Sequence, residues 1–178
     1  RRPPDGQWKE GGMTIIQTLF GPEEISWPRK TIRLRVIKAV YERQIVREDA
    51  PEYLVETRFT SAQQVFEIFK ELRYETKEHF ICLHLDGKNR ILCIDRVSVG
   101  SLNQSIVHPR EVLKTAVMSS AAALILIHNH PSGDPAPSRE DIAVTRRLKE
   151  ASEIIGIKLL DHIIVGDSYV SLTEAGSL

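Results

Sequence analysis

The sequence predicts an α/β fold, a mixed sheet flanked by helices. Three observations carry this expectation. Residues 78–85 and 91–99 read as two strands around an Asp86-Gly87-Lys88-Asn89 turn. Residues 121–127 form a near-continuous apolar run, the pattern of a strand buried on both faces. Residues 109–118 and 138–155 place apolar side chains at helical spacing.

Taken in order, residues 1–30 are rich in Pro, Gly and charge without sustained periodicity, and read as a loosely ordered arm. Residues 31–59 read as an N-terminal strand extension. Within it, residues 31–41 (TIRLRVIKAVY) partly alternate apolar with basic residues, as an edge strand does, and mark a candidate edge for pairing between chains. Arg33, Arg35 and Lys38 there have the chemistry to touch phosphates, but a solvated edge that resists aggregation is the simpler reading. Residues 60–178 form the main domain. Ser61 caps a helix whose Val65, Phe66, Ile68, Phe69 and Leu72 share one face. A tight turn at 86–89 would set Cys82 directly opposite Cys93 as two packed thiols, because both pairs sum to the same register. Pro109 opens a helix with Val112, Leu113, Ala116 and Val117 as its apolar stripe. The helix from Ser138 ends near Gly156, and residues 157–165 and 169–172 read as strands around a Gly166-Asp167 turn.

Composition narrows the function classes. Lys plus Arg equals Asp plus Glu, 24 each, so net charge offers no drive toward DNA or a membrane surface. No apolar run approaches the roughly 20 residues of a membrane span, and the Arg1-Arg2-Pro3-Pro4 start has no signal-peptide core. A cytoplasmic protein is the default expectation, with Met13 a candidate start and residues 1–12 an upstream leader. Two cysteines are too few for a disulfide framework or a Cys-rich zinc site.

The chemistry concentrates in His128-Asn129-His130-Pro131-Ser132-Gly133-Asp134-Pro135-Ala136-Pro137-Ser138-Arg139-Glu140-Asp141. Residues two apart on a strand share a face, so His128 and His130 aim both imidazoles at one point. Asp141 lies in the first turn of the helix that Ser138 caps, with its carboxylate turned back toward the strand end. Two imidazoles and a carboxylate suit Zn2+, and three protein ligands leave a fourth position open, as catalytic rather than structural zinc requires. Zinc-activated water then needs a base. Asp134, between Gly133 and Pro135, has turn chemistry, and Glu140 is expected on the other side of its helix from Asp141. Glu78, at the start of the 78–85 strand, is the best-placed remaining carboxylate.

His-x-His, seven residues, Ser, two residues, Asp resembles the signature of the JAB/MPN (JAMM) metalloproteases, and HNHPSGDPAPSREDI is similar to their RadC-like branch. LDGKNRIL (85–92), VHPREV (107–112) and LLDHIIVG (159–166) extend the likeness from about Thr60 to the C-terminus. The resemblance implies the JAB/MPN, cytidine-deaminase-like architecture and a zinc metallopeptidase or isopeptidase acting on a peptide or protein conjugate. It implies His128, His130 and Asp141 as metal ligands and Ser138 as an oxyanion partner. It also makes Glu78, in KEHF, the general acid/base. RadC-like proteins usually begin with a helix–hairpin–helix segment, and no such Gly-containing hairpin stands in residues 1–60, so the chain reads as a short form.

Other readings compete. By composition the spaced motif arises by chance roughly once in a thousand such sequences. Ser-x-x-Asp alone is an ordinary capping pattern, which Ser138 can satisfy while also serving a site. An HNH nuclease spreads its residues over a ββα unit, which three adjacent letters do not make. A weakly active or non-catalytic JAB scaffold in DNA repair or mobile-element biology is the alternative function. His162 reads either as a support behind the metal ligands or as a structural histidine. His108 enters a helix, His79 and His84 are strand side chains, Arg110 and Glu111 are helix-start charges, and Asn129 points away from the ligands toward loop backbone.

Overall fold

The computed structural model describes the backbone of residues 14–18 and 21–25, and residues 37–38, 40–43, 58–100 and 107–178 in full. Two compact units are distinguished, residues 1–38 and 39–178. In the first, β1 (Thr14–Thr18) pairs antiparallel with β2 (Gly21–Ile25). Regular structure therefore enters the segment expected to be a loosely ordered arm. The expected edge strand over 31–41 falls largely outside the described residues, Arg33 and Arg35 included. Ile37, Lys38, Val40 and Tyr41 are described, exposed and in no strand.

The second unit is a mixed α/β layer structure. Ser61 caps α1 (Ala62–Phe69) by accepting from the Gln64 amide, and a 3-10 segment (Lys70–Tyr74) follows. Then come β3 (His79–Leu85), β4 (Ile91–Val99), α2 (Pro109–Met118), β5 (Ala123–Asn129), α3 (Arg139–Ile154), β6 (Lys158–Val165) and β7 (Tyr169–Ser171). The sheet order is β4-β3-β5-β6-β7. β5 runs antiparallel to β3 and parallel to β6, so the connection between the two parallel strands is made through α3.

Two cores form because the central strands are apolar on both faces. On one face Ala62, Val65 and Phe69 of α1 meet Ile81, Leu83, Ile125, Ile127 and Ile163. On the other, Val112 and Ala116 of α2 and Val144 and Leu148 of α3 meet Phe80, Cys82, Leu124 and Leu126. Each Val, Leu, Ile or Phe among them contributes about 1.5–3 kcal/mol on burial. All seven residues of β5 are buried, including His128 and Asn129 at its end. Burying those two is unfavourable unless their polar atoms are bonded, so the strand end demands partners.

Two expectations fail here. Val117 is 58% exposed and does not join the α2 stripe, which rests on Val112 and Ala116. Cys82 faces Asp95, and Cys93 faces His84, so the two thiols are not opposite one another. The turn is longer than the tight one assumed. Asp86 N–H donates to Arg90 O at 2.9 Å, Asn89 adopts φ 60°, and the Asp86 carboxylate accepts from the Lys88 and Arg90 amides. A further register shift between His84 and Leu85 moves the pairing again.

Candidate metal centre

β5 ends where the loop toward α3 begins, and the site is built at that junction. The His130 amide donates to Val165 O at 2.8 Å, so the chain keeps its strand course along β6 for one residue past β5. His128 and His130 consequently share a face. Their Nε2 atoms stand 2.9 Å apart. Asp141 completes the group, with Oδ1 at 3.2 Å from His128 Nε2 and Oδ2 at 3.4 Å from His130 Nε2. One ligand atom from each of the three lies within 4.8 Å of the others, and no second cluster of this kind occurs among the described residues.

Asp141 is presented by a capping box. Ser138 Oγ accepts from the Asp141 amide at 3.1 Å, and the Ser138 amide and hydroxyl both donate to Asp141 Oδ2, at 2.7 and 2.6 Å. Burial works against the Asp141 charge. The nearby His128 and His130 rings and the Ser138 hydroxyl nevertheless hold its carboxyl well below the usual carboxylate range. The same Asp141 pushes the His130 pKa up, with burial opposing.

The tautomers of both imidazoles follow from what lies behind them. His130 Nδ1–H donates to Asp134 O at 2.7 Å, leaving Nε2 with a free lone pair. Behind His128 runs a longer chain. Thr145 Oγ1 donates to Asp141 O at 2.6 Å, so it accepts from His162 Nδ1–H at 2.5 Å. Burial keeps His162 neutral, with His128 nearby adding to the effect, so its Nε2 accepts from His128 Nδ1–H at 2.8 Å. His128, His162, Thr145 and Asp141 are all buried. Phe80 closes the apolar side, stacked on His128 and edge-on to His162. Two Nε2 lone pairs and an anionic carboxylate thus face one point. That arrangement could hold a metal ion, and the donor set fits Zn2+.

An open cleft of about 570 Å³ lies over this group, lined by Glu78, His130–Ser132, Ser138, Glu140 and Asp141. Phe80 pairs with His128, and Glu78, two residues before Phe80, lines the cleft beside His130. Glu140, expected on the far side of its helix, lines the cleft as well. In the first turn of α3 Glu140 is exposed, whereas Asp141 beside it is buried. The loop above is pinned by Gly133 O, which accepts from the Asp167 amide at 2.7 Å. A Cβ at Gly166 would meet Gly133 O at 2.2 Å, so only glycine allows this approach.

The other singled-out residues sort cleanly. Asp134 takes the turn role, its carboxylate accepting from the Ala136 amide at 2.9 Å. His108 caps α2 by accepting from the Arg110 amide, and Arg110 pairs with Glu111 at 3.3 Å. Asp161 holds β6, β7 and the Thr173 amide together instead of facing the site. Asn129 turns to the opposite face and bonds backbone next to Glu78. Thr145 escaped the sequence reading, although its place four residues after Asp141 on one helix face was a usable signal.

The family model described as RadC-like JAB domain matches residues 59–177. The chain belongs to this family. RadC-like relatives include a protein of Trichlorobacter lovleyi, 67% identical over 123 residues, and one of Pelobacter propionicus, 65% identical over 123 residues. Each alignment covers 68% of this chain and 54% of the relative. A Desulforudis audaxviator relative is 52% identical over 168 residues, 94% of this chain and 70% of its own length. All three are named only UPF0758 protein. The chain spans about half the length of the first two. The RadC-like JAB match takes in every residue of the His128–His130–Asp141 group, Ser138 and Glu78.

Proposed function

We propose that the chain is a zinc metallopeptidase or isopeptidase, cutting an amide bond in a peptide or protein conjugate. The observation that carries this reading is the pair of tautomer-locked imidazoles meeting Asp141 beneath an open cleft that also contains Glu78. His128 Nε2, His130 Nε2 and an Asp141 oxygen would hold Zn2+, which supplies Lewis acidity and makes water a nucleophile near neutral pH.

Glu78 takes the proton of the attacking water and returns it to the leaving amine nitrogen, from its place in the cleft just before β3. Ser138 has a second acceptable use for its hydroxyl. Its amide already donates to Asp141 Oδ2, so its O–H is able to rotate toward an oxyanion without leaving that carboxylate bare. Glu140 at the cleft rim favours a cationic flank on the substrate over an acidic one.

The test begins with metal. Purified protein takes up one zinc per chain, and its melting temperature rises on loading. Zinc-loaded protein cleaves peptide or lysine-linked conjugate substrates, and Glu78→Gln lowers turnover by about 10²–10⁴-fold with zinc retained. Failure to bind zinc at all would sink the proposal. Zinc binding without cleavage of any amide substrate would favour the non-catalytic scaffold.

A further inference from the structure

Asn129 stands between the two histidines, yet its side chain lies on the opposite face of β5, among the apolar side chains packed against α1. It is wholly buried. Its Oδ1 accepts from the His79 amide at 2.7 Å, and its Nδ2 donates to Lys77 O at 3.0 Å. The orientation of the carboxamide is unambiguous, because a backbone N–H only donates and a carbonyl only accepts.

The carbonyl of one residue and the amide two places on are a pair that a neighbouring antiparallel strand bonds. No residue of β5 beyond His128 is paired with β3, and the next amide, that of His130, is given to β6. The Asn129 carboxamide takes the place of the missing strand residue, prolonging the β3–β5 ladder through Lys77 and His79. On the other edge, the Gly100 amide donates to Glu78 O at 2.8 Å. The backbone of Glu78 is therefore held from both sides, just beyond the formal start of β3.

We infer that Asn129 is a positioning residue for Glu78, clamping the peptide groups on either side of it so that its carboxylate is set toward the cleft. This rests on the reading of Glu78 as the proton carrier. The local chemistry explains why an amide occupies an otherwise apolar face. Asp lacks the donor for Lys77 O, Leu lacks both groups, and Gln places the amide one methylene too far out.

The test uses zinc-loaded protein and Asn129→Leu, which keeps the branched shape of the side chain, with Asn129→Ala as the second variant. Amide exchange at His79 speeds up at least about tenfold, whereas Ile81 to Leu85 stay protected. Zinc stoichiometry and KM are unchanged, and kcat falls about 10²-fold, the loss that a displaced catalytic group brings. In a Glu78→Gln background, Asn129→Leu costs nothing more, because both changes remove one function. Unchanged His79 exchange overturns the clamp. So does a full further loss in the Glu78→Gln background, which would mark Asn129 as structural support alone. If Glu78→Gln itself keeps full activity, the base reading fails instead, and His79 exchange still decides whether Asn129 holds this backbone.

Discussion

His128 and His84 occupy the same face of neighbouring strands, at opposite ends, with Phe80 opposite His128 and Leu124 opposite His84. Both are completely buried. Their surroundings differ in one decisive respect. Each nitrogen of His128 has a use: Nδ1 is bonded to His162, and Nε2 faces His130 and Asp141. His84 Nδ1 lies 2.8 Å from Ser119 Oγ and 3.3 Å from Cys93 Sγ, and its Nε2 has no partner among the described residues. Burial of a histidine does not make a site. A directed chain of bonds that leaves a lone pair facing other ligand atoms does.

The sharpest way to break this comparison is to make the same change at both ends. His128→Leu should abolish zinc uptake, measured by metal analysis after gel filtration. His84→Leu should leave uptake intact and hold or raise stability by up to about 1–3 kcal/mol, since it removes an unbonded buried nitrogen. Equal loss of zinc in the two variants would show that the distinction between the ends is false.

A smaller effect is expected one layer behind the ligands. His162→Ala should weaken zinc binding about 10–100-fold without abolishing it, because His128 loses the acceptor that holds its tautomer. Competition against a chromogenic chelator measures this directly, and an unaltered affinity would disconnect the His162–Thr145 chain from the site.

The smallest effect is the acid response of the far end. Burial lowers the His84 pKa, with Asp95 opposing. The unfolded chain therefore takes up a proton near pH 6.5 that the folded chain resists, so the fold loses stability as pH falls below that value. In His84→Leu this part of the slope should vanish when urea unfolding is compared at pH 7.5 and pH 5.5. An identical slope in parent and variant would mean that His84 does not titrate differently on unfolding.

Much of this molecule was legible in one dimension. The capped starts at Ser61, Pro109 and Ser138, and the apolar run entering β5, rest on local rules about backbone donors and side-chain periodicity. The His-x-His spacing and an Asp in the first turn of the next helix brought three ligands together by the same local geometry. The Cys82–Cys93 register did not follow, because a longer turn with Asn89 at positive φ and a bulge after His84 are settled by how the hairpin packs. Val117 likewise had the right spacing but no partner layer to bury it.

What the sequence by itself determined is the set of groups able to bind a metal and the strand and helix that carry them, since each depends on neighbours a few residues away. The tertiary structure alone decided which nitrogen of His128 is offered, and which backbone holds Glu78. Those choices depend on His162, Thr145, Val165 and Asn129, which reach the site through sheet pairing and helix packing. The direction of those bonds is a property of contacts between distant segments, and no local pattern encodes it.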